Sequence, residues 1–201
     1  MFKKILIANR GEIADRVIRA CAEMGIRSVA IFTEPDRYAL HVKRADEAYS
    51  LGEDPLSGYL NPVRIVNLAV ETGCDAIHPG YGFLSENPEL AAECRRRGIR
   101  FIGPSAEVIR RMGDKTQARS AMIAAGVPVT PGSEGNLSGL EEAVTEAERI
   151  GYPVMLKATS GGGGRGIRRC DDEASLRYAW DRVVSEATKA FGSAEVFLEK
   201  C

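Results

Sequence analysis

The 201-residue sequence lacks an excess of charge of either sign, because 27 lysines and arginines are balanced by 28 aspartates and glutamates, which leaves a net charge of −1. A basic field that would attract nucleic acid is therefore not expected. The sequence also lacks any apolar run of about 18 residues, the length that a transmembrane helix needs. These two absences predict a protein that binds neither nucleic acid nor a membrane.

Paired cysteine motifs are absent as well. No C-x-x-C occurs, and the cysteines are odd in number and scattered along the chain: Cys21, Cys74, Cys94, Cys170 and Cys201. Such a distribution predicts reduced thiols rather than a disulfide framework or a zinc site. Residues 1–5 enter a strand at once, without the long apolar region and cleavage site of a secretory signal peptide. We therefore expect a cytoplasmic protein.

Strand-length apolar segments alternate with helical periodicity over residues 1–105. Residues 5–8 and 29–32 have the character of buried strands, and the helix between them is predicted to bury one apolar face: Ile13, Val17, Ala20, Cys21 and Met24. This βαβ alternation predicts an open parallel α/β sheet. The turn between the first strand and the first helix contains one glycine, Gly11, whereas a dinucleotide-binding fingerprint has three. This difference disfavours a hydride-transferring dehydrogenase.

A loop with polar and glycine residues follows the strand at residues 76–77. It contains His78, Tyr81 and Gly82. Open α/β sheets bind ligands at the carboxyl ends of their strands, so this loop is a candidate binding loop. His78 has two interpretations, a structural imidazole or a group that acts on a ligand.

The most informative stretch is an apolar strand, residues 154–156, that ends at Lys157 and runs into a glycine-rich loop. The glycines of this loop are Gly161, Gly162, Gly163, Gly164 and Gly166. A buried ammonium needs a compensating partner, and glycines let backbone N–H groups approach a bulky anion closely. A lysine followed by a glycine-rich loop therefore suggests a site that binds a phosphate group.

The residues that follow the glycine loop indicate which kind of phosphate-binding loop it could be. Residues 166–170 have the pattern of a second strand, whereas a dinucleotide loop opens a helix and a P-loop continues with Lys-Ser/Thr. One interpretation is a flap over nucleotide phosphates, as in kinases. The other is a glycine hairpin with a lysine that extends to solvent.

Two further segments matter. Lys115 lies at the start of a predicted helix over residues 116–125 and is either a second candidate cation or a surface lysine. Residues 195–201 begin an apolar strand at which the sequence stops, and a strand there is expected to leave a sheet edge exposed. We therefore expect a fragment of a longer protein.

Four motifs together resemble one family. They are IANRGEIA at residues 7–14, HPGYGFLSEN at 78–87, MGDK at 112–115, and Lys157-Ala158 with the 161–166 loop. In this order, and over the whole chain, they resemble biotin carboxylase, an ATP-grasp enzyme. The resemblance implies an α/β fold, with a Rossmann-like pre-ATP-grasp domain at 1–112 and the incomplete start of an ATP-grasp domain at 113–201.

The resemblance also implies a reaction and a set of site residues. The family is a ligase that uses ATP to activate bicarbonate as carboxyphosphate and transfers its carbon dioxide to biotin. Lys115 and Lys157 match the lysines that hold ATP phosphates, and the glycine loop matches a mobile lid. Glu199 and Lys200 match the adenine border, where Cys201 replaces a common aromatic residue. His78, Tyr81 and Gly82 match the loop on the biotin and bicarbonate side.

The partners and the missing parts are implied in the same way. The family uses Mg²⁺ or Mn²⁺, receives biotin on a biotin carboxyl carrier protein, works with a carboxyltransferase and forms a homodimer. Its metal ligands, bicarbonate-binding groups and general base lie beyond the equivalent of Cys201, so no catalytic residue is expected here and the isolated chain is expected to be inactive. Another ATP-grasp ligase and a non-catalytic ATP-binding module are the alternatives.

Overall fold

The computed structural model describes residues 2–159, 166–192 and 194–201, which divide into two compact units, Met1–Arg110 and Arg111–Cys201. The first unit alternates strands and helices, with a 3₁₀ turn at Glu34–Asp36. Its elements are β1 (Lys4–Ile7), α1 (Gly11–Glu23), β2 (Arg27–Phe32), α2 (Leu40–Arg44), β3 (Glu47–Ser50), α3 (Pro62–Glu71), β4 (Ala76–His78), α4 (Pro88–Arg96) and β5 (Arg100–Phe101). Helix α5 (Ala106–Gly113), which contains the division between the units, was not predicted, and its only buried side chain is Ile109.

The strands of the first unit form one parallel sheet in the order β3-β2-β1-β4-β5. The chain moves outward from β1 through β2 to β3 and then returns to place β4 on the other side of β1. The strand order therefore reverses between β1 and β4, and in open α/β sheets such a point is where ligands bind. The α/β fold class with a parallel sheet, predicted from the sequence, is confirmed.

Both faces of this sheet are covered, which explains why β1 is a continuous apolar run. One face packs Leu6 and Ile77 against α3 and α4, and the other packs Ile5 and Ile7 against α1. Asn87 followed by Pro88 predicts the start of a helix, and α4 does begin there, because Asn87 accepts hydrogen bonds from the backbone N–H groups of residues 89 and 90.

The predicted apolar face of α1 was partly wrong. The side chains that α1 buries are Ala14, Ile18 and Cys21, whereas Ala20 is exposed and Met24 is 59% exposed. Two apolar stripes run along this helix at helical spacing, and periodicity alone does not show which of them is buried. The buried stripe is the one that packs against Ile5 and Ile7 of the sheet.

The second unit contains a small antiparallel sheet with helices on one face. Its elements are α6 (Lys115–Ala124), α7 (Leu140–Ile150), β6 (Val154–Ala158), β7 (Ile167–Cys170), α8 (Glu173–Phe191) and β8 (Val196–Lys200). The strand order is β7-β6-β8. Leu156 and Leu198, both fully buried, pack against α7 and α8. Residues 166–170 do form a strand that pairs with β6, so the glycine-rich segment joins two strands as predicted.

The expectation that the last strand leaves an exposed sheet edge was wrong. Residues 131–137 run beside β8 on the side away from β6. Ser133 N donates to Leu198 O at 2.9 Å, Leu137 N donates to Val196 O at 2.8 Å, and the backbone N–H of residue 200 donates to the carbonyl of residue 131. Residues 131–137 therefore cover this edge of the sheet.

Two further properties of the described residues concern membrane crossing and the cysteine thiols. None of its helices is both long enough and apolar enough to cross a bilayer. The five cysteines are free thiols, and all but Cys201 are buried. Burial raises the pKa of the Cys94 thiol to about 12, so this thiol stays protonated and packs as a small apolar group.

Candidate functional site

The pair Lys157 and Glu199 forms the centre of the candidate site in the second unit. In the β6–β8 register Lys157 lies opposite Phe197, so Glu199, two residues further along, shares a face of the sheet with Lys157. Lys157 Nζ donates to Glu199 Oε2, and the two side chains are 27% and 24% exposed. This face is opposite the one that packs on α7 and α8. The partner that a half-buried ammonium requires is thus a carboxylate 42 residues away in sequence.

Lys200, the next residue of β8, belongs to the other face. Its Nζ donates to the carbonyl oxygens of Gly151 at 2.7 Å and Tyr152 at 2.8 Å. Gly151 is the C-cap of α7, where the exposed carbonyls of a helix end favour a cation. The Lys200 side chain therefore ties β8 to the end of α7.

Lys115 lies close to the end of β6. It is the first residue of α6, and its Nζ donates to Thr159 O at 3.0 Å. Thr159 directly follows β6 and so stands two residues after Lys157. The two lysines predicted from sequence are therefore brought to the same end of β6, at the point where the glycine-rich segment begins.

The start of α6 is fixed by Asp114, which sequence reasoning did not single out. Its carboxylate accepts hydrogen bonds from the backbone N–H groups and the side chains of both Thr116 and Gln117. These bonds lower the pKa of Asp114 to about 2. A fully bonded N-cap holds the first turn of a helix, and it thereby holds Lys115.

Thr159 is the second residue that the sequence did not identify. Its Oγ1 donates to Asn136 Oδ1 at 2.6 Å, and its N donates to Glu195 O at 2.9 Å. Together with the contact to Lys115, these bonds link the end of β6 to three other segments. No local pattern indicates this role, because each partner is distant in sequence.

The glycine-rich segment is only partly described. Gly161, Gly162, Gly163 and Gly164 lie outside the described residues. Gly166 is described, with φ +67°, and a Cβ added to it would lie 2.9 Å from the Ala158 Cβ. Gly166 O also accepts from Ala158 N at 2.9 Å. The left-handed conformation and the close approach both require glycine at this position.

The candidate loop of the first unit lies where the sheet order reverses. His78 ends β4 beside Ile7 of β1, and its Nδ1 accepts the N–H of Gly80 at 3.0 Å. Burial lowers the pKa of His78, so the imidazole is neutral at pH 7 and, with Nδ1 as acceptor, carries its proton on Nε2. Gly82 has φ +71°.

Tyr81 is the exposed member of this loop, at 64% exposure. Its hydroxyl donates to Glu12 Oε1 at 2.9 Å, and this bond raises the pKa of the phenol. Glu12 belongs to the first turn of α1, so the tip of the loop is tied to the neighbouring turn. His78, Tyr81 and Gly82 are together in the first unit, as the loop sequence requires.

Metal ligands were not predicted for this chain. In the ranges that the structure covers, no group of three or more His, Cys, Asp or Glu side chains could hold a metal ion. Glu199 is the carboxylate beside the candidate phosphate-binding lysines, and it is engaged with Lys157.

Comparison with known families divides the chain in two. Residues 1–109 match the family model described as biotin carboxylase, N-terminal domain. Residues 114–201 match the model described as carbamoyl-phosphate synthase L chain, ATP binding domain. The two matches meet close to the division between the compact units.

Curated relatives match over the full chain. The 2-oxoglutarate carboxylase small subunit of Hydrogenobacter thermophilus is 57% identical over 200 residues, which cover 100% of this chain and 42% of that protein. Biotin carboxylase 1 of Bacillus subtilis is 52% identical over 201 residues, which cover 100% of this chain and 45% of that protein. The chain thus spans less than half the length of these relatives.

Solved structures agree with this match. The biotin carboxylase domain of the H. thermophilus 2-oxoglutarate carboxylase, a dimer in complex with MgADP, ADP and bicarbonate, superposes with a TM-score of 0.91 at 57% identity. The biotin carboxylase of Campylobacter jejuni in a β-γ-ATP complex superposes with a TM-score of 0.92 at 47% identity. Each comparison covers 100% of this chain, and 44% and 45% of those chains respectively.

Proposed function

Because the chain belongs to the biotin carboxylase family, we propose that it is the N-terminal part of a ligase that carboxylates biotin. The proposed enzyme uses ATP to convert bicarbonate into carboxyphosphate and passes the carbon dioxide to a biotin ureido nitrogen. The observation that carries this proposal is the convergence of Lys115 and the Lys157–Glu199 pair at the end of β6, in a segment that matches an ATP-binding domain.

The ATP site that we propose consists of Lys115, Lys157, Gly161, Gly162, Gly163, Gly164, Gly166, Glu199 and Lys200. Phosphoryl transfer relies on cations that hold the phosphates and offset the charge of the transition state. Lys157 is suited to this task because its ammonium, paired with Glu199, lies in β6 just before the glycine-rich segment begins. Lys200 contributes through its backbone, since its ammonium is bound at the end of α7.

A divalent cation is part of the proposal. Mg²⁺ or Mn²⁺ would supply further positive charge at the ATP phosphates, and its ligands are proposed to lie in the part of the enzyme that follows Cys201. The contribution of this chain to the charge balance is Lys115 and Lys157. Without the remaining groups, the isolated 201 residues are expected to bind nucleotide but not to turn over.

The 78–82 loop is proposed to face biotin and bicarbonate. Tyr81 is exposed, whereas the backbone around it is held by hydrogen bonds. Biotin is proposed to arrive on a biotin carboxyl carrier protein, and a carboxyltransferase then selects the final acceptor. We further propose a homodimer, sequence domains at 1–112 and 113–201, and a cytoplasmic location, the last supported by the five free thiols.

The test uses the full-length natural product, whose intact mass is measured first. ADP release should require bicarbonate and should increase when free biotin is added. The isolated chain serves as the comparison and should release no ADP. ATP hydrolysis that is indifferent to biotin would favour another ATP-grasp ligase, and nucleotide binding without hydrolysis by the full-length product would favour a non-catalytic module; either result would reject the proposed function.

A further inference from the structure

The turn between β1 and α1 has no role in the function proposed so far, although it is in contact with the 78–82 loop. At its centre is Asn9, which is fully buried. Asn9 Nδ2 donates to Pro79 O at 2.8 Å and to Tyr81 O at 2.9 Å, and Asn9 Oδ1 accepts Arg10 N at 2.9 Å. Carbonyl oxygens only accept, so the orientation of this amide is determined by its partners. Both amide protons of Asn9 are donated to the loop.

The loop backbone lies directly on this side chain. A Cβ added to Gly80 would stand 2.6 Å from Asn9 Nδ2 and 2.7 Å from Ile13 Cγ2. Gly80 also has φ +65°, a conformation that other residues rarely adopt. Residue 80 therefore has to be glycine for its neighbours to reach the Asn9 amide.

The same turn holds the loop at two further points. Glu12 accepts the Tyr81 hydroxyl, and the Arg10 guanidinium lies 5.7 Å from the centroid of the Phe83 ring. Phe83 has φ +43°, which is unusual for an aromatic residue and indicates that its surroundings fix it.

Arg10 and Phe83 also contact two residues outside the loop and the turn, Asp36 and Tyr59. Phe83 stacks on Tyr59 with ring centroids 5.2 Å apart, and Tyr59 donates to Asp36 Oδ2 at 2.8 Å. The same carboxylate oxygen accepts Arg10 Nη1 at 3.0 Å. The contacts form a closed network, so the end of the loop cannot shift without disturbing the turn.

We propose that Asn9 is a positioning residue, which holds the backbone of residues 79–81 so that Tyr81 and Gly82 meet the biotin-side substrate in one conformation. This inference rests on the proposed function. Binding is weakened when a protein must first order a loop, and a loop ordered beforehand avoids that cost. Loss of the Asn9 donors should therefore raise KM for biotin much more than KM for ATP.

The experiment uses the full-length enzyme with free biotin as the probe. Asn9→Asp keeps the size of the side chain but places an oxygen next to two carbonyl oxygens. Asn9→Ala removes the donors without adding that repulsion. We expect KM for biotin to rise roughly tenfold, the size that the loss of two neutral hydrogen bonds implies, while KM for ATP changes less than about twofold. Hydrogen exchange at the Gly80 and Gly82 amides should become faster in both variants.

Asn61→Asp is the matched control. Asn61 caps α3 by accepting Arg64 N at 3.0 Å, and an aspartate accepts this bond equally well. The control should leave both KM values, the melting temperature and the exchange rates unchanged.

Three results would overturn the inference. They are an unchanged KM for biotin, an equal rise of both KM values together with a lower melting temperature, and unchanged exchange at Gly80 and Gly82. If the wild-type enzyme shows no response to biotin, the proposed function fails instead. The exchange rates of the two Asn9 variants then decide alone whether Asn9 holds the loop.

Discussion

Replacing Lys157 by methionine separates the two tasks that the structure gives to this lysine. Methionine keeps the length of the apolar stem but removes the charge that Glu199 faces. If Lys157 serves only a ligand, its loss weakens nucleotide binding and leaves the fold unchanged. Because Lys157 also neutralises Glu199, we expect the fold to lose stability as well.

The size of the stability effect follows from the exposure of the pair. Exposed ion pairs contribute about 0–1 kcal/mol, whereas removal of one partner from a buried pair costs about 3–5 kcal/mol. The Lys157 and Glu199 side chains are 27% and 24% exposed, between these limits. We expect Lys157→Met to lower the free energy of unfolding by about 1–2 kcal/mol, mostly through the unpaired carboxylate. The double variant with Glu199→Gln should recover most of this loss.

The effect on nucleotide binding should be larger and should not be recovered. A hydrogen bond from a charged donor is worth about 1.5–3 kcal/mol, which corresponds to a roughly 10- to 100-fold weaker affinity for MgATP. Calorimetric titration of the full-length protein with MgATP measures this loss. Urea denaturation of the same samples measures the stability of each single variant and of the double variant.

Lys189→Met provides the control, since Lys189 is an exposed lysine on α8 in the same unit. It should change neither quantity. Unchanged MgATP affinity in Lys157→Met would refute the assignment of Lys157 to the phosphates and favour a lysine that merely extends to solvent. A double variant that is no more stable than Lys157→Met would refute the role of the lysine as the counter-charge of Glu199.

Three other perturbations test neighbouring parts of the molecule. Asp114→Ala removes the N-cap of α6 and should cost about 1 kcal/mol of stability, measured by urea denaturation, with Asp114→Asn as a variant that retains the cap; equal losses in both would contradict the capping role. Gly166→Ala forces a left-handed φ and a contact with Ala158, and should cost about 1–2 kcal/mol or more; a neutral result in the same assay would exclude this geometry. Burial lowers the pKa of His41 and of His78, so the unfolded chain binds protons at higher pH than the folded chain, and stability should fall as pH drops below about 6.5. NMR titration of the two imidazoles checks this, and an imidazole that titrates above its ordinary pKa would contradict it.

Secondary structure could be predicted where the signals are local and agree. A periodic apolar stripe and flanking glycines coincide at residues 140–150 and predict a helix there, and helix α7 is observed at Leu140–Ile150. Asn87 followed by proline predicted the start of α4 for the same reason. Helix α5 was not predicted, and Ile109 is the only side chain that it buries. The face of α1 was misassigned because two stripes compete, and only the sheet selects one.

The site could be predicted only as a set of residue types. The sequence indicated that Lys157 needs a partner of opposite charge, but it did not identify Glu199 as that partner. The family resemblance placed Lys200 next to Glu199 at the adenine border, and the structure adds that the Lys200 ammonium binds carbonyls at the end of α7. One residue of shift along a strand reverses the face on which a side chain lies, so neighbours in sequence can have separate roles.

The sequence by itself determined the alternation of strands and helices, the glycine-rich segment between two strands, and the motifs that identify the family. Each of these features depends on residues that are close together along the chain. Only the tertiary structure decided that Asn9 holds a loop 70 and 72 residues away, and that Lys157 meets Glu199 across two strands. Such pairs depend on strand order and register, which arise from the burial of whole faces of a sheet and not from any local pattern.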